Sequence, residues 1–425
     1  MKTYSSYFIR RVCFVVVAIL TSVLIEAKLF AQTETVLYDF ENQPVGIVPE
    51  AGLVADKLGA LYGTTTQGGI AQGMVFKLTR PRVKGQPWVE TTIYTFGSGV
   101  GCCGVDGNFA TNLGALVFDK SGNLYGTTVY GGDHGNGTVF ELTPPTSGET
   151  WTETILYSFG FGSDAQNPLA GLTMVGGVLY GTTRAGGTSG AGTVFRLTPS
   201  TSPGGAWTET VLYSFTGGND GNFPMAAPRM YRGSLYGTTE LGGVGQCGVI
   251  YKLRPPVRGS TTWTETVLYS FPKNFTSDGA NPYAAIILDT AGAIYGATNG
   301  GFGSSGYGMV FKLTPPNWDE TILYAFTNGN DGAGPQGKLI FDSTGALYGT
   351  TSGTGQGTSQ GSVFKLTPPT TQGGPWSETT LHTFTGGPDD GSTPYAGLLL
   401  RGGVLYGTTS SGGMQGGGVA FEVKP

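Results

Sequence analysis

From about residue 32 onward, the chain alternates apolar runs of about 5–9 residues with breaks rich in glycine, proline and aspartate. Val, Ile, Leu, Tyr, Phe and Thr dominate the runs, the side chains that suit a pleated, half-buried surface. No stretch of 11 or more residues in this part keeps helical periodicity. The runs also recur in a fixed order, clearest in "LVFDKSGNLYGTTVYGGDHGNGTVFELT" at 116–143. An apolar run leads through a short turn to "LYGTT", then a Gly-rich loop, then "VFELT". A Pro-containing linker follows, and then "WTETILYSF" at 151–159.

The phrase "LYGTT" stands at 61–65, 124–128, 179–183, 235–239, 347–351 and 405–409, with "IYGAT" at 294–298. Its seven tyrosines are 63, 55, 56, 59, 53 and 58 residues apart. Four strands per unit and seven units predict an all-β fold, a seven-bladed β-propeller of four-stranded antiparallel blades around a central channel. A solenoid is the structural alternative, but it usually has shorter repeats and needs caps at both ends, and nothing here reads as a cap. The last unit, "GLLLRGGVLYGTTSSGGMQGGGVAFEV", has only three strands. Its fourth is "TETVLYDF" at 33–40, so the N-terminal strand is expected to complete the C-terminal blade. Residues 32–425 are therefore expected to form one propeller domain.

The segment before it reads as a secretory signal over residues 1–31. Lys2, Arg10 and Arg11 precede the 14-residue apolar stretch 12–25, and "LFA" at 29–31 offers a small residue for cleavage. A spanning helix needs roughly 20 apolar residues, so export is expected instead of a membrane anchor. No second apolar span occurs, and the chain ends at "AFEVKP" with no sorting tail. The expected location is secreted or periplasmic.

Composition narrows the function classes. Aromatics make up 12% of the chain, which opposes a disordered chain despite 75 glycines and only 12% charged residues. A net charge of −5 with no basic run excludes sequence-independent nucleic-acid binding, which rests on neutralising phosphates. After cleavage Cys102, Cys103 and Cys247 remain. An odd count cannot complete a disulfide framework; a vicinal bridge, a pairing with Cys247 and free thiols all stay open. Without a CxxC spacing, a zinc or thioredoxin-like site has no basis.

The phrase "GxLYGTTxxGGxxxxGxVFxLTP", cleanest at 122–144 and 177–199, resembles the GloVer-type tandem repeat of bacterial exported proteins over the whole mature chain. Ala297 and the segment 352–362 depart from it. The resemblance implies an exported repeat protein and no established chemistry.

Catalytic residues are hard to nominate. His134 and His382 are the only histidines and lie in different contexts, and no GxSxG, HExxH or P-loop phrase occurs. The glycines of "GGDHGNG" lack the following helix that a phosphate loop needs. One constellation repeats: an aspartate in the loop leading into a blade, namely Asp106, Asp164, Asp220, Asp278, Asp331 and Asp390. In a propeller of this strand order these loops and the Gly-rich loops open on one face. Six carboxylates on that rim could hold Ca2+ or sugar hydroxyls. Plain turn chemistry explains them too, since Asp accepts backbone N–H bonds and Gly takes positive φ. Trp88, Trp151, Trp207, Trp263, Trp318 and Trp376 share one repeat position and read as packing between blades. Off-pattern aromatics such as Tyr130, Tyr307 and Phe223 are better placed for contact.

The expected function is that of a monomeric, non-catalytic binding or scaffold module for a protein or glycan, acting through its loop-rich face. A propeller enzyme of polysaccharide or small-molecule breakdown and a structural matrix protein are the alternatives. No cofactor is expected, Ca2+ at the aspartate rim excepted.

Overall fold

The glycine of "LYGTT" has a steric cause. Each of the seven copies, from Gly63 to Gly407, lies under the ring that the following strand presents from "VFKLT" or its equivalent. A Cβ at Gly126 would stand 2.5 Å from Phe140 Cζ, and at Gly349 2.5 Å from Phe364 Cζ. Real Cβ contacts do not come that close, so the glycine lets the ring lie flat on the strand behind it.

The computed structural model describes residues 34–41, 46–68, 72–83, 86–97, 106–110, 114–148, 150–202, 205–272, 279–300, 306–353, 360–371 and 373–425. Among them every named element is a β-strand. The strands form seven antiparallel blades, six of them running inner to outer in chain order. The third, for example, comprises Thr173–Val175, Val178–Thr183, Thr193–Thr198 and Thr208–Ser214. The last blade takes Leu399–Arg401, Val404–Thr409 and Val419–Val423 from the C-terminus and Glu34–Asp39 from the N-terminus. The ring thus closes as its three-strand ending predicts.

Two features differ from the simple four-run pattern. The inner strands pair over only 2–3 residues, as at Ile287–Leu288 and Arg229–Tyr231. The residues before them are Pro, Gly and Ala, as in "PLAGL", and proline has no N–H to give a ladder. In the second blade an extra short strand, Asn108–Ala110, pairs with the end of Leu124–Tyr130. Every outer strand carries a bulge in its middle, as between Ile155 and Tyr157.

Blades meet through repeated aromatic contacts. The phenylalanine ending each outer strand stands edge-on or tilted against the ring of "VFKLT" in the next blade: Phe96 to Phe140 at 5.1 Å, Phe159 to Phe195 at 5.2 Å, Phe326 to Phe364 at 5.1 Å. Phe40 against Phe76, at 4.9 Å, makes the same contact where the two chain ends meet. Such pairs add about 0.5–1.5 kcal/mol each beyond the burial of their area. The repeat tryptophans cover the anchor tyrosine of the preceding blade, Trp207 on Tyr125 at 6.2 Å and Trp88 on Tyr406 at 6.4 Å. In five blades the first "LYGTT" threonine ties its blade to the next by a hydrogen bond, as with Thr182 Oγ1 donating to Ala226 O at 3.0 Å and Thr408 Oγ1 to Ala51 O at 3.0 Å, whereas Thr64 Oγ1 is buried without a partner. Ala297 lacks that hydroxyl at the fifth seam.

In the fourth blade the stacked ring is Tyr251, wholly buried, and its hydroxyl has no hydrogen-bond partner. An unsatisfied buried hydroxyl costs stability that phenylalanine avoids. Tyr251→Phe should therefore raise unfolding stability by about 1 kcal/mol in a denaturant titration; a loss of stability would show that the hydroxyl is satisfied.

Candidate functional site

The inter-blade loops and the Gly-rich loops do crowd one face, and they bond to each other there. Ala165–Gln166 pairs with Ala185–Gly186, Gly391–Ser392 with Ser411–Gly412, and Asn222 bridges Leu241. The turn aspartates sit in these loops, and each of the five described accepts protein donors. Tyr94 Oη donates to Asp106 at 3.2 Å, Tyr157 to Asp164 at 3.2 Å, Tyr213 to Asp220 at 2.9 Å and Tyr324 to Asp331 at 3.1 Å. Asp390 instead lies 3.1 Å from His382 Nε2. Backbone N–H groups complete each turn, from Gly97, Gly160, Thr216, Thr327 and Thr385. Asp278 lies outside the described residues, as do Cys102 and Cys103. Cys247 is buried.

A second acidic ring escapes a motif search. Its members are the glutamates of the "TET" phrase and of its "VET", "DET" and "SET" equivalents, which face the previous blade's turn or outer-strand side chains across the seams. Burial, then the nearby aspartate's charge, pushes Glu153, Glu209 and Glu265 up to about 7. Glu34 is likewise pushed up to about 7, mainly by burial, with His382 opposing and Asp390 adding to it. Glu90 and Glu378 are raised as well, by burial first. Glu320 accepts a 2.9 Å bond from Tyr269 of the preceding blade. The signal was present in the sequence, as one carboxyl per repeat inside an apolar strand phrase.

The cavity along the ring axis holds about 360 Å3 and is lined by inner-strand residues of all seven blades. At one level the lining is Gly52, Ala115, Gly171, Ala227, Ala285 and Gly397, and the remaining blade supplies Lys338. Small residues are needed there because neighbouring strands touch through their backbones: a Cβ on Gly397 would stand 2.7 Å from Lys338 O. Two positions after that level, where other blades carry Val, Thr, Ile or Leu, the fourth carries Arg229. The Lys338 side chain reaches water in the channel, yet crowding by the walls, then the Arg229 charge, lowers its pKa below the ordinary lysine value. Among the described residues, no carboxylate forms an ion pair with either cation.

Nearer the loop face the lining includes Met225, Tyr283, Gln336 and Tyr395. Tyr283 donates to Glu240 at 2.9 Å and Gln336 to Ser352 at 3.1 Å. Burial pushes Glu50 up to about 7, and its charge adds to burial in raising Tyr395. Arg184 lies over Phe223 at 4.5 Å. Aligning the seven "PLAGL" phrases by register would have picked out Lys338 and Arg229; searching for catalytic motifs could not.

A family model described as the Gloeobacter/Verrucomicrobia repeat matches residues 23–195, 92–302 and 231–425. No curated protein matches the chain in sequence. Among solved structures, a candidate 6-phosphogluconolactonase from Bacteroides fragilis is 13% identical, with 83% of this chain and 87% of that chain covered and a TM-score of 0.49. Drosophila Plexin A, solved in complex with Semaphorin 1b, is 10% identical, covering 93% and 88%, with a TM-score of 0.48. The alpha-L-arabinanase of Penicillium chrysogenum, complexed with arabinobiose, is 13% identical, covering 92% and 97%, with a TM-score of 0.43.

The raised glutamates give stability a definite pH trend. Below their ordinary value of 4.5 they are neutral in both folded and unfolded chains. As pH rises from 4.5 to about 7 only the unfolded chain ionises fully, so the folded state loses stability, and above that window the loss is complete. The Tm should fall across this window, and the combined Glu153→Gln, Glu209→Gln, Glu265→Gln variant should flatten the fall. A Tm that rises over the same window in the wild-type chain would contradict the burial of these carboxyls.

Proposed function

The chain belongs to the Gloeobacter/Verrucomicrobia repeat family, and on that footing we propose that it is an exported, non-catalytic binding module for an acidic glycan. The ligand lies on the loop-rich face and sends a carboxylate or sulfate into the central channel. One observation carries this reading: Lys338 and Arg229 line a channel whose other residues at their levels are small or mostly apolar, and among the described residues no carboxylate forms an ion pair with them. Two cations sharing one confined channel attract an anion more strongly than the same charges spread over an open surface. The cavity volume suits a small group such as a sugar unit. Tyr283, Tyr395 and Gln336 supply aromatic surface and polar contacts on the way in. Export rests on the leader-like residues 1–31.

A second reading, glycan hydrolysis, has one observation in its favour. Glu50 has a carboxyl pushed up to about 7 beside Tyr395, and a general acid working near neutral pH needs such a value. Release of reducing ends that Glu50→Gln abolishes would support it.

Calorimetry with polygalacturonate and with neutral dextran tests the binding reading. The acidic polymer should bind and the neutral one should not. Lys338→Met should weaken binding by about tenfold or more, the usual cost of losing a charge-assisted hydrogen bond. Equal binding of both polymers, or unchanged affinity in a folded Lys338→Met variant, would contradict the proposal.

A further inference from the structure

His382 stands in the outer-strand phrase "LHTF" where the other six copies carry tyrosine. The substitution falls at the seam where the N-terminal strand packs against the sixth blade. Elsewhere the seam set is a phenol, a turn aspartate and a glutamate from the next blade, as with Tyr157, Asp164 and Glu209. Here it is an imidazole and two carboxylates. One ligand atom from each of Glu34, His382 and Asp390 lies within 4.8 Å of the others, and His382 Nε2 and Asp390 Oδ1 are 3.1 Å apart. It is the one such group of three among the described residues.

We infer that Glu34, His382 and Asp390 form a site for a divalent transition ion of the zinc class, which staples the N-terminal strand to the sixth blade. Five points support it. Zinc ligands lie about 2.0–2.2 Å from the ion, so tetrahedral neighbours stand roughly 3.4 Å apart, close to the observed His–Asp spacing. Oε1 of Glu34 is buried from solvent without a hydrogen-bond partner, the condition an incoming cation relieves. The imidazole and aspartate side chains remain 19% and 13% exposed, leaving an entry path and room for a water as fourth ligand. Asp390 is held from behind by Thr385 N and Oγ1 at 2.7 and 2.9 Å, which orients its carboxylate. An imidazole in the donor set favours zinc over Ca2+, which takes oxygen ligands. The ion would take the place of the hydrogen between Nε2 and Oδ1, the neutral ring keeping its single N–H at Nδ1, and any carboxyl proton on Glu34 would go to water.

The repeat supplies its own control, because His382→Tyr restores the residue that folds at the other seams. The experiment uses the full chain in a Cys102→Ser, Cys103→Ser background, so that loop thiols cannot capture the metal. Zinc content is measured after equilibrium dialysis against zinc chloride, with melting curves recorded alongside. The expected result is one zinc per chain and a Tm rise of roughly 3 °C at about 100 times the Kd. His382→Tyr and Glu34→Gln should lose both while melting cooperatively. Absence of bound zinc, or zinc bound equally by the His382→Tyr chain, would overturn the site.

Discussion

The ring depends on one contact made seven times: a phenylalanine at the end of an outer strand against the ring that the next blade lays over its glycine. The glycine fixes the height of the ring, the ring fixes where the neighbouring phenylalanine can stand, and the pair fixes the distance between blades. At the fourth blade the stacked ring is a tyrosine, packed by Phe215 at 5.2 Å. The contact between Phe40 and Phe76 is the one that joins the chain's ends. Because it matches the others in geometry and burial, the ring has no structurally distinct seam in its core.

A fold held this way needs few charges, and the charges it keeps are consequently conspicuous. The turn aspartates are absorbed by tyrosine hydroxyls and backbone N–H groups, so they shape the loop face. The seam glutamates sit buried against them, which holds several of these carboxyls near neutrality. Among the described residues no carboxylate pairs with Lys338 or Arg229, and their place on the axis gives the channel a positive interior in a chain of net charge −5. Charge at the centre and acid at the seams is a distribution that the overall balance conceals.

Much of the fold was legible because the repeat encodes it locally. Alternating runs, turn residues and the three-strand ending were enough for blade number, strand order and the closing role of residues 34–39. The short inner strands were less visible, since "PLAGL" looks apolar enough for a longer strand until proline and the close approach at the axis are considered. The candidate site was legible only in part. Asp106, Asp164, Asp220, Asp331 and Asp390 stood out as a series, but their tyrosine partners depend on how the bulged outer strand turns its side chains. Lys338 matters because six other blades carry Gly or Ala at its level. Glu34 and His382, 348 positions apart in the chain, meet only after the ring has closed, and no local pattern records that.

Closure by the N-terminal strand is the claim on which the seams, the channel and the metal site all rest. Native-state hydrogen exchange read at residues 34–40 and at the equivalent outer strand 208–215 tests it most directly. The account predicts comparable protection, since both strands have the same ladder and the same terminal phenylalanine buried in the next blade. Exchange at 34–40 as fast as in the exposed linkers, with 208–215 protected, would contradict it and leave the last blade with three strands.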